Sequence, residues 1–412
     1  MHGSISRPRL GPSASGTPRV HRRDPHPRDG GGRGHPRRRG RGHARRELQG
    51  VPRRSPSEGP SGPARPHRPR RPPGACRRRG AALVEDHDAG RAGTGERGSG
   101  LMAAPNFADR DGKIWFDGEL VDWREAKVHV LTHTLHYGLG VFEGVRAYRT
   151  EHRGGCIFRL AEHTKRLFNS AHILGMHMPF DAETLKEAQR EVMRANGLDE
   201  GYLRPMCFLG SEGMGLRAED LSTHVIVAAW PWPSYMDPEA KERGIAVRTS
   251  SYTRHHVNIT MCKAKANGNY INSMLALREA LDSGCEEALL LDNEGYVAEG
   301  SGENVFLVRG GRLHTPELTS CLDGITRDTI FRLAEEIDLP IVERRITRDE
   351  VYIADEAFFT GTAAEVLPIR SLDGRTIGDG RRGPVTERLQ SMYFDQVTGR
   401  REAHPEWLTP IA

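Results

Sequence analysis

Two lysines stand one residue apart in Met261-Cys262-Lys263-Ala264-Lys265-Ala266-Asn267-Gly268-Asn269-Tyr270. A lysine amine attacks carbonyl carbon once it is held unprotonated, and the tyrosine that follows the Asn-Gly-Asn turn offers a phenol beside it. Residue types alone do not say which lysine is the nucleophile. Three other stretches carry polar groups that core packing does not require. HYGLGVFEGVR (136–146) sets three glycines among Tyr137, Phe142, Glu143 and Arg146. GITRDTI (324–330) reads as the start of a helix, whose free N–H groups and threonine hydroxyl suit a phosphate dianion. FTGTAAE (359–365) follows a strand and exposes amides around Gly361 and Thr362. Each of these alone is a common structural device, a glycine turn or a threonine cap.

Their combination with a lysine is more specific. An amine, a phosphate-binding helix start, a tyrosine and a carboxylate are the groups pyridoxal phosphate needs for Schiff-base chemistry. A carboxylate opposite the pyridine nitrogen keeps that nitrogen protonated, because an opposite charge at contact distance favours the ionised form. The protonated ring is then an electron sink.

The elements that must position these groups begin at Lys113. KIWFDGELV is two short apolar runs joined by Asp117-Gly118, a hairpin signal. FRLAEHTKRLFNSAHILG places Leu160, Leu167, Phe168, Ala171 and Leu174 on one helical face and stops at Gly175. DAETLKEAQREVMRANG repeats the device between an N-cap at Asp181 and a stop at Gly197. YLRPMCFLG and HVIVAAW read as strands, giving a small α+β domain over 102–228. Three prolines in the run from Trp230 to Pro238 mark an interdomain connection over 229–240. Beyond it, 241–412 alternates strands (IAVRTSSY, EALLLD, NVFLVRGGRLHT, LPIVERRIT, EAFFTG) with helices (INSMLALREALDSG, ITRDTIFRLAEEID, GPVTERLQSMYFDQ). Paired strands among helices predict a larger domain with a mixed sheet or barrel. Neither a GxGxxG after a strand nor a GxxxxGK[ST] phosphate loop occurs.

The first 101 residues are a different polymer. They hold 24 Arg, no Lys and 8 Asp plus Glu, a balance of +16, so the remainder carries −11 within an overall +5. So little apolar surface cannot offset about 1–2 kcal/mol of backbone ordering per residue, and the arm is expected to be disordered. Arginine without lysine over such a length fits an untranslated upstream frame best, with initiation expected near Met102. A nucleic-acid-binding tail and a transit peptide are the alternatives. Salt-sensitive nucleic-acid binding lost on deleting 1–101, with activity intact, would support the former. The six cysteines show no CxxC and no metal-ligand spacing, so no metal is expected and a reducing cytoplasm suits them. No run reaches the roughly 18 apolar residues of a membrane span.

KVHVLTHTLHYGLGVFEGVRAY, YLRPMCFLGSEGMG, KANGNY, GYVAEGSGENVF, DGITRDTI and FTGTAAEVLPI, in this order and spacing, identify a resemblance. From about Trp115 to the C-terminal region the chain is similar to the branched-chain amino acid aminotransferases of fold-type IV. The resemblance implies a two-domain pyridoxal-phosphate enzyme that moves the amino group of L-leucine, L-isoleucine or L-valine to 2-oxoglutarate. It makes Lys265 the cofactor lysine and leaves Lys263 to point to solvent. It further implies Tyr270 at the cofactor's O3′, Glu299 at the ring nitrogen, and Arg166, Ile325, Thr326 and Thr362 around the phosphate. For the substrate it implies Tyr202 and the amides of Thr362 and Ala363 at the α-carboxylate. Tyr137, Phe142, Arg204, Leu216 and Tyr235 would surround the side chain, Tyr137 and Leu216 coming from a neighbouring subunit. Arg146 also matches the pattern, with a structural role as open as a substrate contact. A homo-oligomer with shared sites, a dimer or a dimer-based hexamer, follows. The rivals of the same fold type are D-amino acid aminotransferase and aminodeoxychorismate lyase. HYGLGVFEGVR and YLRP separate the chain from both.

Overall fold

The computed structural model describes residues 106–232 and 239–412. The arginine-rich arm and Met102, and Tyr235 within the proline-rich connection, lie outside the described residues. At Asp117-Gly118 the expected hairpin forms: Lys113–Phe116 pairs antiparallel with Glu119–Asp122, and the turn residues have φ of 49° and 106°. That backbone twist is what a two-residue hairpin requires.

This hairpin ends an antiparallel eight-stranded sheet. Its order is Leu408–Pro410, Gly154–Phe158, Val145–Thr150, Gly201–Leu209, Thr223–Trp230, Lys113–Phe116 and Glu119–Asp122. The short strand Gly140–Phe142 also pairs with Gly201–Leu209. The helices Leu160–Ile173 and Ala182–Ala195 cover one face. Their spacing of apolar residues by three and four brings Leu160, Leu167, Leu185, Val192 and Met193 onto Val141, Val145, Leu203, Val225 and Val227. Burying each such side chain contributes about 1.5–3 kcal/mol. The second helix starts where the Asp181 carboxylate accepts the Thr184 N–H at 2.8 Å, and Gly197 follows its end at φ 62°.

The second sheet has nine strands and is mixed. Its order is Val297–Gly300, Glu287–Leu291, Ile245–Thr249, Glu365–Leu372, Glu356–Gly361, Asn304–Arg309, Arg312–Thr315 and Ile341–Glu343, with Arg375–Thr376 on the Glu365 strand. Ile245–Thr249 runs parallel to both neighbours. The helices Tyr270–Asp282, Ile325–Glu335 and Pro384–Val397 fall where the sequence places them.

Several elements were not read from the sequence, among them the strands Gly140–Phe142, Val145–Thr150 and Gly154–Phe158. Glu365–Leu372 is a central strand despite Pro368, a residue that argues against one. Leu408–Pro410, near the C-terminus, leaves the second half of the chain and pairs with Gly154–Phe158 in the first sheet. The crossing is sealed by a cluster drawn from both halves, with Tyr148, Phe158, Phe306, Phe358, Tyr393 and Trp407 buried together. Among the described residues no helix is long and apolar enough to cross a membrane.

Candidate active site

Lys265 is held by its own backbone before its side chain does anything. Its N–H donates to Ser170 Oγ at 3.0 Å and its carbonyl accepts the Phe142 N–H at 3.1 Å. One contact comes from a helix and the other from a strand, so the Cα is fixed from two sides. Asn269 then donates to the Ala264 carbonyl at 3.1 Å and closes the turn. From this position Lys265 Nζ reaches Tyr270 Oη at 2.6 Å, over the Phe142 ring at 5.1 Å. Lys263 is turned the other way. It does not point to solvent, as the sequence reading had it: its Nζ donates to the carbonyls of Leu318 and, at 2.9 Å, Cys321, and lies 2.6 Å from Asp323 Oδ1. The segment is a turn here, with Ala266 N–H on the Ala264 carbonyl, so residues two apart do not share a side.

Lys265 faces a cavity of about 560 Å³. Phe142, Arg166, Tyr202, Arg204, Tyr270, Glu299, Ile325, Thr326, Thr362 and Ala363, all proposed from sequence, line it with Lys265. Three do not. Arg146 is directed to Glu365, 3.2 Å away. Tyr137 is exposed and packs on the His133 ring at 4.5 Å. Leu216 is 89% exposed.

At one end of the cavity Ile325–Glu335 begins. Asp328 is the first residue whose N–H bonds back into the helix, to Gly324 O at 3.0 Å, so the amides of Ile325 and Thr326 have no acceptor of that kind. Gly324 is required there, because a Cβ would stand 1.9 Å from Asn304 Oδ1. Arg166 completes this end, its Nη1 donating to the Asp323 carbonyl at 2.8 Å. Its Nε and Nη2 fork onto the two oxygens of Glu143 at 2.7 and 2.9 Å, and His163 Nδ1 stands 2.8 Å from the second. Burial alone would raise the Glu143 carboxyl, but Arg166 and His163 hold it far below the usual carboxylate range. Arg166 is thereby aimed by a charge it cannot leave.

Glu299, also buried, lines the same cavity. Its Oε2 accepts the Leu322 N–H at 3.2 Å. Its Oε1 lies 2.8 Å from Arg254 Nη2 yet receives no aligned hydrogen bond. Burial pushes this carboxyl up against the pull of Arg254 and the Leu322 amide. A buried acceptor left open in this way suits a protonated ring nitrogen. With Tyr270 beside Lys265, and Arg166 and the amides of Ile325 and Thr326 in the same cavity, the donor set fits pyridoxal phosphate.

Phe142, Tyr202 and Trp232 give the cavity aromatic walls. Tyr202 packs on Trp230 and Trp232 with centroids 5.4 and 5.0 Å apart. Arg204 lies over the Phe142 ring at 4.7 Å, with its Nε buried and without a hydrogen-bond partner. Ring faces and a guanidinium share one wall, an apolar surface with a cationic edge.

Arg254, Glu303 and Trp232 were missed in the sequence. Arg254 comes from a loop of ordinary composition, and only the fold sets it against Glu299. Glu303 sits in the same EGSGEN stretch as Glu299, which gave it a signal that was not used. It is buried without a basic partner, and burial together with nearby Glu287 pushes its carboxyl far above the ordinary range. Among the described residues no group of His, Cys, Asp and Glu is placed to hold a metal ion.

Comparison with known proteins adds three observations. Residues 140–372 match the family model for amino-transferase class IV. A branched-chain-amino-acid aminotransferase of Pseudomonas aeruginosa is 65% identical over 306 residues, 74% of this chain and 99% of that one. One from Escherichia coli K12 is 46% identical over 300 residues, 72% of this chain and 97% of that one. Two solved structures of branched-chain amino acid aminotransferases also superpose on the chain. One, from Escherichia coli, has a TM-score of 0.72, is 45% identical and matches 74% of this chain and 100% of its own. The other, from Thermobaculum terrenum in its pyridoxal-phosphate form, has a TM-score of 0.69, is 35% identical and matches 73% and 99%.

Proposed function

The chain belongs to the class IV aminotransferases, and from that premise we propose that the cavity around Lys265 transfers the amino group of L-leucine, L-isoleucine or L-valine to 2-oxoglutarate. The observation that carries this reading is the placement of Lys265, Tyr270 and the open Glu299 oxygen in one cavity that also holds the Phe142 and Tyr202 rings beside Arg204. Relatives at 65% and 46% identity share the branched-chain name, and nothing favours the D-amino acid or aminodeoxychorismate alternatives.

Bound pyridoxal phosphate supplies a carbonyl carbon for the amine and a ring that withdraws electrons. Lys265 Nζ is the amine that would hold the cofactor through its carbonyl carbon and, once freed by substrate, would serve as the base that moves a proton at the substrate Cα. Tyr270 Oη, 2.6 Å from Nζ, would hold the ring hydroxyl as its anion. Glu299 keeps the ring nitrogen protonated, and Arg254 keeps Glu299 ionised as it does so. Arg166, the amides of Ile325 and Thr326, and Thr362 hold the phosphate. Tyr202 and the amides of Thr362 and Ala363 take the α-carboxylate. The rings of Phe142 and Tyr202 accept a branched aliphatic chain, and Arg204 accepts the γ-carboxylate of glutamate in the same space.

The enzyme works as a homo-oligomer, a dimer or a dimer-based hexamer, in the cytoplasm. Val130, Leu135, Leu216, Ile271 and Met274 are exposed apolar residues, side chains that an interface with a second copy would cover. Tyr137 and Leu216 would reach a neighbour's cavity from there. The test is a transamination panel on purified holoenzyme. L-leucine, L-isoleucine and L-valine each give glutamate from 2-oxoglutarate and D-alanine gives none; failure of all three branched donors overturns the reading.

A further inference from the structure

The wall of the cavity that carries Thr362 and Ala363 is a three-residue hairpin loop, 362–364, between Glu356–Gly361 and Glu365–Leu372, with Gly361 opposite Glu365 in register. Loops of this length close through a residue in the left-handed region, a place glycine normally takes. Here it is Glu365, at φ 60°, a conformation that L side chains resist. Glycine would relieve the backbone, so the carboxylate must contribute something glycine lacks.

That carboxylate is almost completely buried and meets three groups from outside its own hairpin. Arg146 Nη1 is 3.2 Å from Oε1, Tyr148 Oη donates to Oε1 at 3.1 Å, and Lys241 Nζ donates to Oε2 at 2.7 Å. Tyr393 Oη lies 3.2 Å from Tyr148 Oη and closes the cluster from behind. Arg146 stands opposite Tyr202 in the strand register, and Tyr202 lines the cavity. One buried carboxylate therefore ties the loop to the strand that sits beside Tyr202 and to the short helix Ala240–Arg243.

We propose that Glu365 is a positioning residue for the substrate α-carboxylate: pinned by Arg146 and Lys241, it holds the 362–364 loop so that the Thr362 and Ala363 amides point into the cavity. Arg146 acts through Glu365 and not by touching substrate. This rests on the assignment of those two amides to the α-carboxylate.

The test is Glu365→Gly holoenzyme, whose backbone tolerates the left-handed conformation while the anchor is gone. The probe is 4-methylpentanoate, which has the carbon skeleton of leucine and no amine. Its Kd is expected to rise about tenfold to a hundredfold, the range for losing hydrogen bonds to a charged group. Reaction with 3-methylbutylamine, which has no carboxylate, and the visible spectrum of bound cofactor are expected to stay as in the unaltered protein. A merely structural role would weaken amine and acid alike, and that result overturns the proposal. So does unchanged binding of the acid. If Glu365→Gly yields no folded holoenzyme, Arg146→Lys is read instead; it must show the same split, acid binding weakened and amine reaction kept, or the proposal fails. A crystal structure of the unaltered holoenzyme with 4-methylpentanoate separates the premise from the proposal. A carboxylate bound away from Thr362 and Ala363 sinks the amide assignment and the proposal with it. A carboxylate on those amides, with acid binding unchanged in Glu365→Gly, sinks only the role of Glu365.

Discussion

Glu299 and Glu303 lie four residues apart in one stretch and burial raises both carboxyls, but only Glu299 has an arginine against it. Glu299 faces Arg254 at 2.8 Å and can keep a charge; Glu303 has Glu287 for a neighbour, and both carboxyls are pushed up by burial. A carboxyl whose native value is raised binds a proton the unfolded chain gives up, so stability is full below the ordinary value of 4.5 and falls as pH rises toward the native value. Over that window each such group removes about 1.4 kcal/mol per pH unit. Glu303→Gln should therefore flatten the loss of stability as pH rises above 4.5 by about one group's slope, seen as denaturation midpoints of the two proteins converging or crossing as pH rises. Glu299→Gln should act on chemistry instead, lowering kcat by about 10²–10³, the range for one preorganised electrostatic partner. The same kind of distinction holds for the lysines. Lys263 braces the loop 318–323 that leads into the helix Ile325–Glu335, to which the phosphate is assigned, so Lys263→Ala should keep the visible absorbance of the lysine-bound cofactor and loosen cofactor retention in dialysis. Residue types pointed to the chemistry, and the family motif alone separated Lys265 from Lys263. Arg254 was illegible because its role exists only once a loop is folded against Glu299.

At the scale of elements, caps and turns were read best, because their signals are local. Asp181 caps its helix through the Thr184 N–H, and Asp181→Ala should cost about 1 kcal/mol in denaturation without altering kinetics. The hairpin at Asp117-Gly118 followed from two residues that accept positive φ. What was not legible depended on distant partners. The central strand Glu365–Leu372 went unread, since its neighbours on both sides supply the pairing that a lone sequence window cannot show. Leu408–Pro410 is too short to be recognised by alternation, and its partner lies some 250 residues earlier in the chain. Gly144 belongs to this scale too. A Cβ there would stand 1.9 Å from Tyr202 Oη, and Tyr202 is wedged against Trp230 and Trp232. Gly144→Ala should displace that ring and raise KM for L-leucine about tenfold or more, while cofactor absorbance is kept.

Taken as a whole, the molecule is a basic arm joined to an acidic body, with charge balances of +16 and −11, and all of the candidate chemistry is in the body. Activity should therefore be the same, within error, in protein lacking residues 1–101. Its exposed apolar residues make assembly a property of the body as well: Leu135→Asp with Ile271→Asp should shift a sizing column toward monomer and reduce activity together, because Tyr137 and Leu216 are assigned to a neighbour's cavity. The central claim is narrower than either, that the amine which carries the cofactor is Lys265. Borohydride reduction of the holoenzyme fixes the cofactor to its lysine, and peptide mass mapping then reads the position. The mass of the reduced cofactor on Lys265, with Lys263 unmodified, is the expected result; the label on Lys263, or on no lysine of the 261–270 segment, would contradict it.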